Sequence, residues 1–297
     1  MILENTVTRM PTKQPVYKRQ QFLLAFLQKL NSVVTATDLQ KSIFMYSMAN
    51  ELNYYDFVPY KFGAYSFQLK QDVDVLHKDG YVTERNELVS SSDYTPTIFI
   101  DTSKIESLRG NDLVRKAYEN YPYYAIRSEI AEKLLDSKAL QAVHSLNNEL
   151  TTDDTKLLSI GYEGKSIECF MNVLLKNGVK VLCDVRRNPL SRKYGFSRKS
   201  LKHIAESVGI LYVHVPELGI DSEDRQSLVT PEDYRALFDE YRESLFSKTL
   251  FLQQVYQLIN NNNRVALMCY EQDPNFCHRT VVKDYLTNSY GLESEDI

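Results

Sequence analysis

Residues 181–194, Val-Leu-Cys-Asp-Val-Arg-Arg-Asn-Pro-Leu-Ser-Arg-Lys-Tyr, decide how the chain is read. Val181, Leu182 and Cys183 form a short apolar run with a β-branched residue, the pattern of a buried strand. Asp184 stands where that strand ends, and Pro189 blocks an easy return to regular structure. From Arg186 to Lys202 there are seven cationic side chains (Arg186, Arg187, Arg192, Lys193, Arg198, Lys199, Lys202) and no carboxylate. The whole chain carries a net charge of −4, so this excess is local. In an open α/β sheet, ligands bind beyond the carboxyl ends of the strands. A carboxylate followed by a basic loop at such an end suits a polyanionic ligand. The competing reading is a solvated loop whose charges serve solubility.

The same rhythm extends to both sides. Leu157–Ile160 reads as a strand, residues 161–166 as a turn, and Ile167–Lys176 as a helix followed by Gly178. A basic helix at about 197–208 leads to a strand at Leu211–Val215. Residues 231–260 are largely helical, with Pro231 acceptable in a first turn. Arg264–Cys269 is another buried strand, and a last helix starts near His278. This alternation predicts an α/β domain over residues 151–297, a mostly parallel sheet with flanking helices. Gly161-Tyr162-Glu163-Gly164-Lys165-Ser166 invites comparison with a P-loop, but that motif needs four residues between its first glycine and Gly-Lys-Ser/Thr, and here there are two. What remains is a glycine turn opening a helix, with Gly161, Tyr162 and Ser166 as candidate contacts to one phosphate or carboxylate.

A second stretch, Met268-Cys269-Tyr270-Glu271-Gln272-Asp273-Pro274-Asn275-Phe276-Cys277-His278-Arg279, leaves a strand, turns at Asp273-Pro274 and enters a helix. Glu271 emerges from its strand end as Asp184 does from its own, and parallel strands deliver both to one edge of the sheet. Asp184, Glu271, Cys277 and His278 are therefore the candidate catalytic residues. Arg186, Pro189, Ser191, Arg192 and Arg279 join Gly161, Tyr162 and Ser166 as candidate substrate contacts. The helix dipole and Arg279 favour a thiolate at Cys277, although adjacent residues at a helix start do not face each other as nucleophile and base would. No spacing supports a zinc set drawn from Cys269, Cys277, His278 and His203 or His214, so no metal ligands are assigned. No cofactor is assigned either.

These residues carry a resemblance. Residues 157–290 resemble the family known as domain of unknown function 488, through the Gly161-Tyr162 turn with Ser166, Asp184-Val185-Arg186 with Pro189, Ser191 and Arg192, Leu218-Gly219, and Leu267-Met268-Cys269 with Glu271, Pro274 and Cys277-His278-Arg279. Ile220 departs from the pattern, which often has a second glycine there. The resemblance implies a Rossmann-like α/β domain and brings no activity with it.

The first 150 residues differ. Residues 1–16 read as an arm. Apolar spacing predicts helices up to about Leu30, from Thr35 or Thr37 through Met48, and through Leu69, Val73 and Leu76 to Gly80. A hairpin follows around Arg85-Asn86, then further helices over 104–146. Pro59–Ser66 with Leu69, Asp72, Leu76 and Gly80 resembles the winged-helix pattern of prokaryotic regulators and antitoxin-like proteins, which implies DNA binding by a helix in the major groove. With 17 Lys and Arg against 18 Asp and Glu, residues 1–150 are not basic, so a homodimer or other protein contact through this half is the competing reading. Residues 147–154 are polar and read as the linker.

Composition sets the outer limits. An apolar content of 43% and a charged content of 25% over 297 residues fit an ordinary globular protein of two domains. No apolar run is long enough to span a membrane. The four cysteines include no CxxC pair, which fits a reducing compartment and a cytoplasmic location. Taken together, the residues predict a nucleic-acid-associated protein, with DNA or a nucleotide as partner. It is read as an enzyme, a hydrolase or transferase acting at a strand-end carboxylate and arginine pocket. The alternative is a non-catalytic DNA-binding regulator whose second domain senses a small anion.

Overall fold

The computed structural model describes residues 15–30, 33–85, 88–91, 97–152, 154–221, 223–225 and 228–297. The arm up to residue 14, the hairpin turn at 86–87 and Asp153 of the expected linker lie outside the described residues. The chain divides into two compact units, Met1–Leu146 and Asn147–Ile297.

The first unit begins with α1 (Lys18–Leu30), β1 (Val34–Thr35) and α2 (Ala36–Ala49). Thr35 caps α2 by accepting the amide of Asp38. Next come β2 (Val58–Tyr60), β3 (Gly63–Tyr65), α3 (Phe67–Lys78), β4 (Val82–Arg85) and β5 (Leu88–Ser91), then α4 (Gly110–Asn120), α5 (Ala131–Leu134) and α6 (Ser137–Leu150). β1, β5 and β4 form an antiparallel sheet in that order. The aromatic-rich connection between α2 and α3 folds into the β2–β3 hairpin, with Tyr60, Tyr65 and Phe67 packed ring against ring. Asp72 and Lys41 are among the polar groups buried between the helices. Asp72 accepts from Arg19 at 2.7 Å, from Gln20 and from Tyr55. Lys41 donates to the Ala64 carbonyl at 2.7 Å, and burial, only partly offset by Asp38, lowers its pKa to about 7. Residues 147–150, expected in the linker, form the last turn of α6.

The second unit is an α/β domain. Its strands are β6 (Lys156–Gly161), β7 (Val181–Asp184), β8 (Leu211–His214), β9 (Arg264–Cys269) and β10 (Ser294–Asp296). Its helices are α7 (Ile167–Lys176), α8 (Arg198–Ser207), α9 (Pro231–Ser244), α10 (Thr249–Asn262) and α11 (His278–Tyr290). The five strands pair in parallel in the order β10-β6-β9-β7-β8. One face, through Leu157, Val181, Cys183, Val265 and Leu267, packs against Tyr241, Leu252, Val255, Ile259, Val282 and Leu286 of α9, α10 and α11. The edge strand β10 has no apolar pattern and is held by polar contacts instead, with Asp296 accepting from Ser159 and Lys283 at 2.6 Å each.

Strand order positions the site. The chain steps one way across the sheet through α7 and α8, and back the other way through α9, α10 and α11. Parallel crossovers are right-handed, so the two helix sets cover opposite faces. The chain therefore leaves β9 toward one face and its neighbours β6 and β7 toward the other. A crevice opens where connections diverge in this way, at the carboxyl ends of those three strands.

Candidate functional site

A cavity of about 240 Å³ lies at that divergence. Tyr162 enters from the end of β6, Arg186, Arg187, Asn188 and Leu190 from the loop after β7, and Ile220 from the connection after β8. Cys269 and Tyr270 come from the end of β9, and His278 from the start of α11. Close approach of backbones builds this edge. A Cβ at Gly161 would run into the carbonyl oxygen of Glu271, so β6 and the β9 exit can lie side by side only with glycine there.

Asp184 is completely buried and saturated. Its Oδ1 accepts Arg186 Nε at 2.8 Å and the Arg186 amide at 3.1 Å, and its Oδ2 accepts Arg186 Nη2 at 2.6 Å and the Tyr212 hydroxyl at 2.7 Å. Arg186 continues the network by donating Nη1 to the Tyr162 hydroxyl and the Phe196 carbonyl, at 3.1 and 3.0 Å. Burial opposes its charge, but the bidentate Asp184 carboxylate more than offsets this and holds the guanidinium pKa up. Burial and then Asp184 also push the Tyr212 phenol up. Tyr162 stacks on Phe196 with ring centroids 4.3 Å apart. Asp184 thus lies beneath the cavity as a framework group, and Arg186 shows the cavity one edge of a guanidinium already engaged on its other sides.

The β9 side is arranged differently. His278 Nε2 lies 3.0 Å from the Val185 carbonyl, which can only accept, so that nitrogen carries the hydrogen. His278 Nδ1 faces Cys269 Sγ at 3.7 Å, and the same sulfur lies 3.3 Å from Glu271 Oε2. The ligand atoms of Cys269, Cys277 and His278 all lie within 4.8 Å of one another, and all three residues are buried. Burial, reinforced by Cys269 and Glu271, pushes the Cys277 thiol well above its ordinary value. Arg279 pulls the other way and loses, so the thiolate expected from the helix start is not favoured.

The remaining expected residues serve the loops. Arg279 is buried, donating to Ser159 Oγ and to the carbonyls of Glu271 and Gln272, which fixes the β9–α11 connection rather than facing the cavity. Ser166 caps α7 by accepting the Cys169 amide. Ser191 Oγ accepts the Lys193 amide, and the Pro189 carbonyl accepts the Arg198 amide, which together tie the basic loop into shape. Arg192 is exposed and does not line the cavity. Of Asp184, Arg186, Glu271 and Arg279, expected to share one pocket, all lie at one sheet edge but only Arg186 lines the cavity. Arg187, Asn188, Leu190, Ile220 and Tyr270 line it although none was a candidate site residue.

Three further cations lie in or near this part of the domain, of which Arg187 lines the cavity. Arg187 is exposed, in a surface pair with Asp221. Lys165 and Lys193 donate to the carbonyls of Gly161 and Tyr162 at 3.0 and 3.1 Å. Partial burial, with Lys165 adding to it, lowers the Lys193 pKa.

Fold and site together define a parallel α/β domain with a cavity at the strand ends. Within it, residues 166–286, from the cap of α7 almost to the end of α11, match the family described as Domain of unknown function DUF488. No curated protein and no solved structure matches the chain. Among the described residues, no helix is long and apolar enough to cross a membrane.

Proposed function

We propose that the second unit, Rossmann-like in character, binds one phosphate-bearing nucleotide or the end of a nucleic-acid strand in the strand-end cavity. We propose further that it acts on that ligand as a hydrolase or transferase. The observation that carries this reading is Arg187 in a cavity walled by Tyr162 and Tyr270, with Lys165 and Lys193 bonded to the carbonyls of Gly161 and of the lining residue Tyr162. Cations receive phosphate, and an aromatic wall receives a base. The size of the cavity suits one nucleotide unit better than a dinucleotide cofactor. Glu271, half-buried beside the cavity, is the candidate acid–base group. Asp184 and Arg186 are the frame that holds the loop.

That saturation of Asp184 also favours the second reading, a regulator that binds the ligand without turning it over. The first unit fits either reading. Its three helices with a β4–β5 hairpin extended by β1 follow the order of a winged helix, which would bring DNA to the protein in the cytoplasm or pair two copies of the chain.

The test is titration of the full chain with a 5′-phosphorylated single-stranded oligonucleotide and with nucleoside monophosphates, with chromatography of the products. Binding is expected to weaken steeply with salt, to fall in the Arg187→Ala/Lys193→Ala double variant, and to be accompanied by product formation that Glu271→Gln abolishes. Binding without product selects the regulator. Failure to bind any of these ligands refutes both readings.

A further inference from the structure

Cys269, Cys277 and His278 bring two sulfurs and a ring nitrogen within 4.8 Å of one another beside the cavity, which Cys269 and His278 line. The third group is the Nδ1 of a ring whose Nε2 hydrogen is committed to Val185, and a Glu271 carboxylate oxygen lies 3.3 Å from the Cys269 sulfur. Such a cluster is arranged for a cation. We propose that Cys269, Cys277 and His278 Nδ1 bind a thiophilic divalent ion of the zinc class, with its fourth position open to the cavity beside Glu271.

Metric and chemical details agree. In tetrahedral zinc, bonds of about 2.3 Å to sulfur and 2.0–2.1 Å to nitrogen put ligand atoms about 3.5–3.8 Å apart. The sulfur–nitrogen separation here is already 3.7 Å, and the full set, within 4.8 Å, closes onto an ion by side-chain shifts of about an ångström. A backbone carbonyl on the far nitrogen is the usual device that fixes the tautomer and ring plane of a metal-bound histidine, and Val185 supplies it. Two thiols and an imidazole select zinc-like ions over magnesium or calcium. His214 is engaged with the Arg186 carbonyl, and His203 is exposed on α8, so neither completes the set. Because Cys269 and His278 themselves line the cavity, the open position faces it. A water held there would donate to Glu271. Binding replaces two thiol hydrogens, so each ion taken up releases two protons to solvent.

The assignment stands independently of the nucleotide reading and is tested without it. The full chain, stripped with a chelator under reducing conditions, is titrated with Co²⁺ and then with Zn²⁺. The expected result is one equivalent bound, a thiolate-to-cobalt charge-transfer band with tetrahedral ligand-field bands, their loss on adding Zn²⁺, and two protons released per ion to a pH indicator. Cys277→Ser and His278→Ala are expected to lose the bands, while Glu271→Gln keeps them. Absence of a thiolate band in the wild-type chain, which involves no altered folding, overturns the proposal. So does a stoichiometric band that survives Cys277→Ser.

Discussion

Two polar clusters stand on neighbouring strands of one sheet edge and have opposite characters. At the end of β7, Asp184 and Arg186 satisfy each other, with Tyr212 and Tyr162 filling the remaining positions. At the end of β9, Cys269, Cys277 and His278 bring metal-ligating atoms within 4.8 Å of one another, with Glu271 beside Cys269. The first arrangement is complete and so rigid, a support for the loop that lines the cavity. The second is the set we propose to hold an ion. A carboxylate at a strand end is therefore not in itself a reactive group. Its chemistry depends on whether the surrounding donors already occupy its lone pairs.

The largest expected effect comes from breaking the complete cluster. Asp184→Ala leaves Arg186 buried without its carboxylate and should destabilise the second unit by about 3–5 kcal/mol in urea unfolding. A loss below ~1 kcal/mol would mean that the pair is not structural. Removing the two rim cations, Arg187→Ala with Lys193→Ala, should leave folding intact. It should weaken oligonucleotide binding by about a hundredfold, or ~2.7 kcal/mol, and flatten the salt dependence. Gly161→Ala probes the seam between β6 and the β9 exit, since its methyl would strike the Glu271 carbonyl. A cost of about 1–3 kcal/mol is expected from the forced backbone shift, together with weaker metal retention as the β9 exit moves.

An effect read as a slope with pH sharpens the comparison from the other unit. Lys41 is as buried as Arg186 but donates to a carbonyl instead of a bidentate carboxylate, and its pKa falls from 10.5 to about 7. Below about pH 7 the native side chain is charged and the penalty is fully present. Between about 7 and 10.5 the unfolded chain keeps a proton that the native chain has released, so stability rises with pH, by up to about 1.4 kcal/mol per unit. Lys41→Met should remove this rise in thermal melts across that range. An unchanged slope would place the charge elsewhere.

Much of this was legible from residues alone. Buried parallel strands announce themselves as apolar runs, so β6, β7 and β9 and the edge they share could be read directly, as could the basic loop. Roles within the edge could not. Tyr212 reaches Asp184 only because β8 pairs with β7 in a register that sets Tyr212 against Leu182. Sequence distance hides that contact. Cys269 and His278 are nine residues apart and meet only because the Asp273-Pro274 turn folds the chain back onto the strand end, a spacing with no zinc-motif precedent. The strand β10 carries its pairing in Asp296 and Glu295 rather than in an apolar pattern, which leaves no periodic signal.

The central claim is that the cavity at the ends of β6, β9 and β7 receives the phosphate-bearing ligand on a frame made by Asp184 and Arg186. Amide nuclear magnetic resonance of the full chain, titrated with a 5′-phosphorylated single-stranded oligonucleotide, tests it most directly. The expected result is a saturable set of shifts at Tyr162, Arg187, Leu190 and Tyr270, lost in the Arg187→Ala/Lys193→Ala variant. Shifts confined to the first unit, or to the α9 and α10 face of the second, would contradict it.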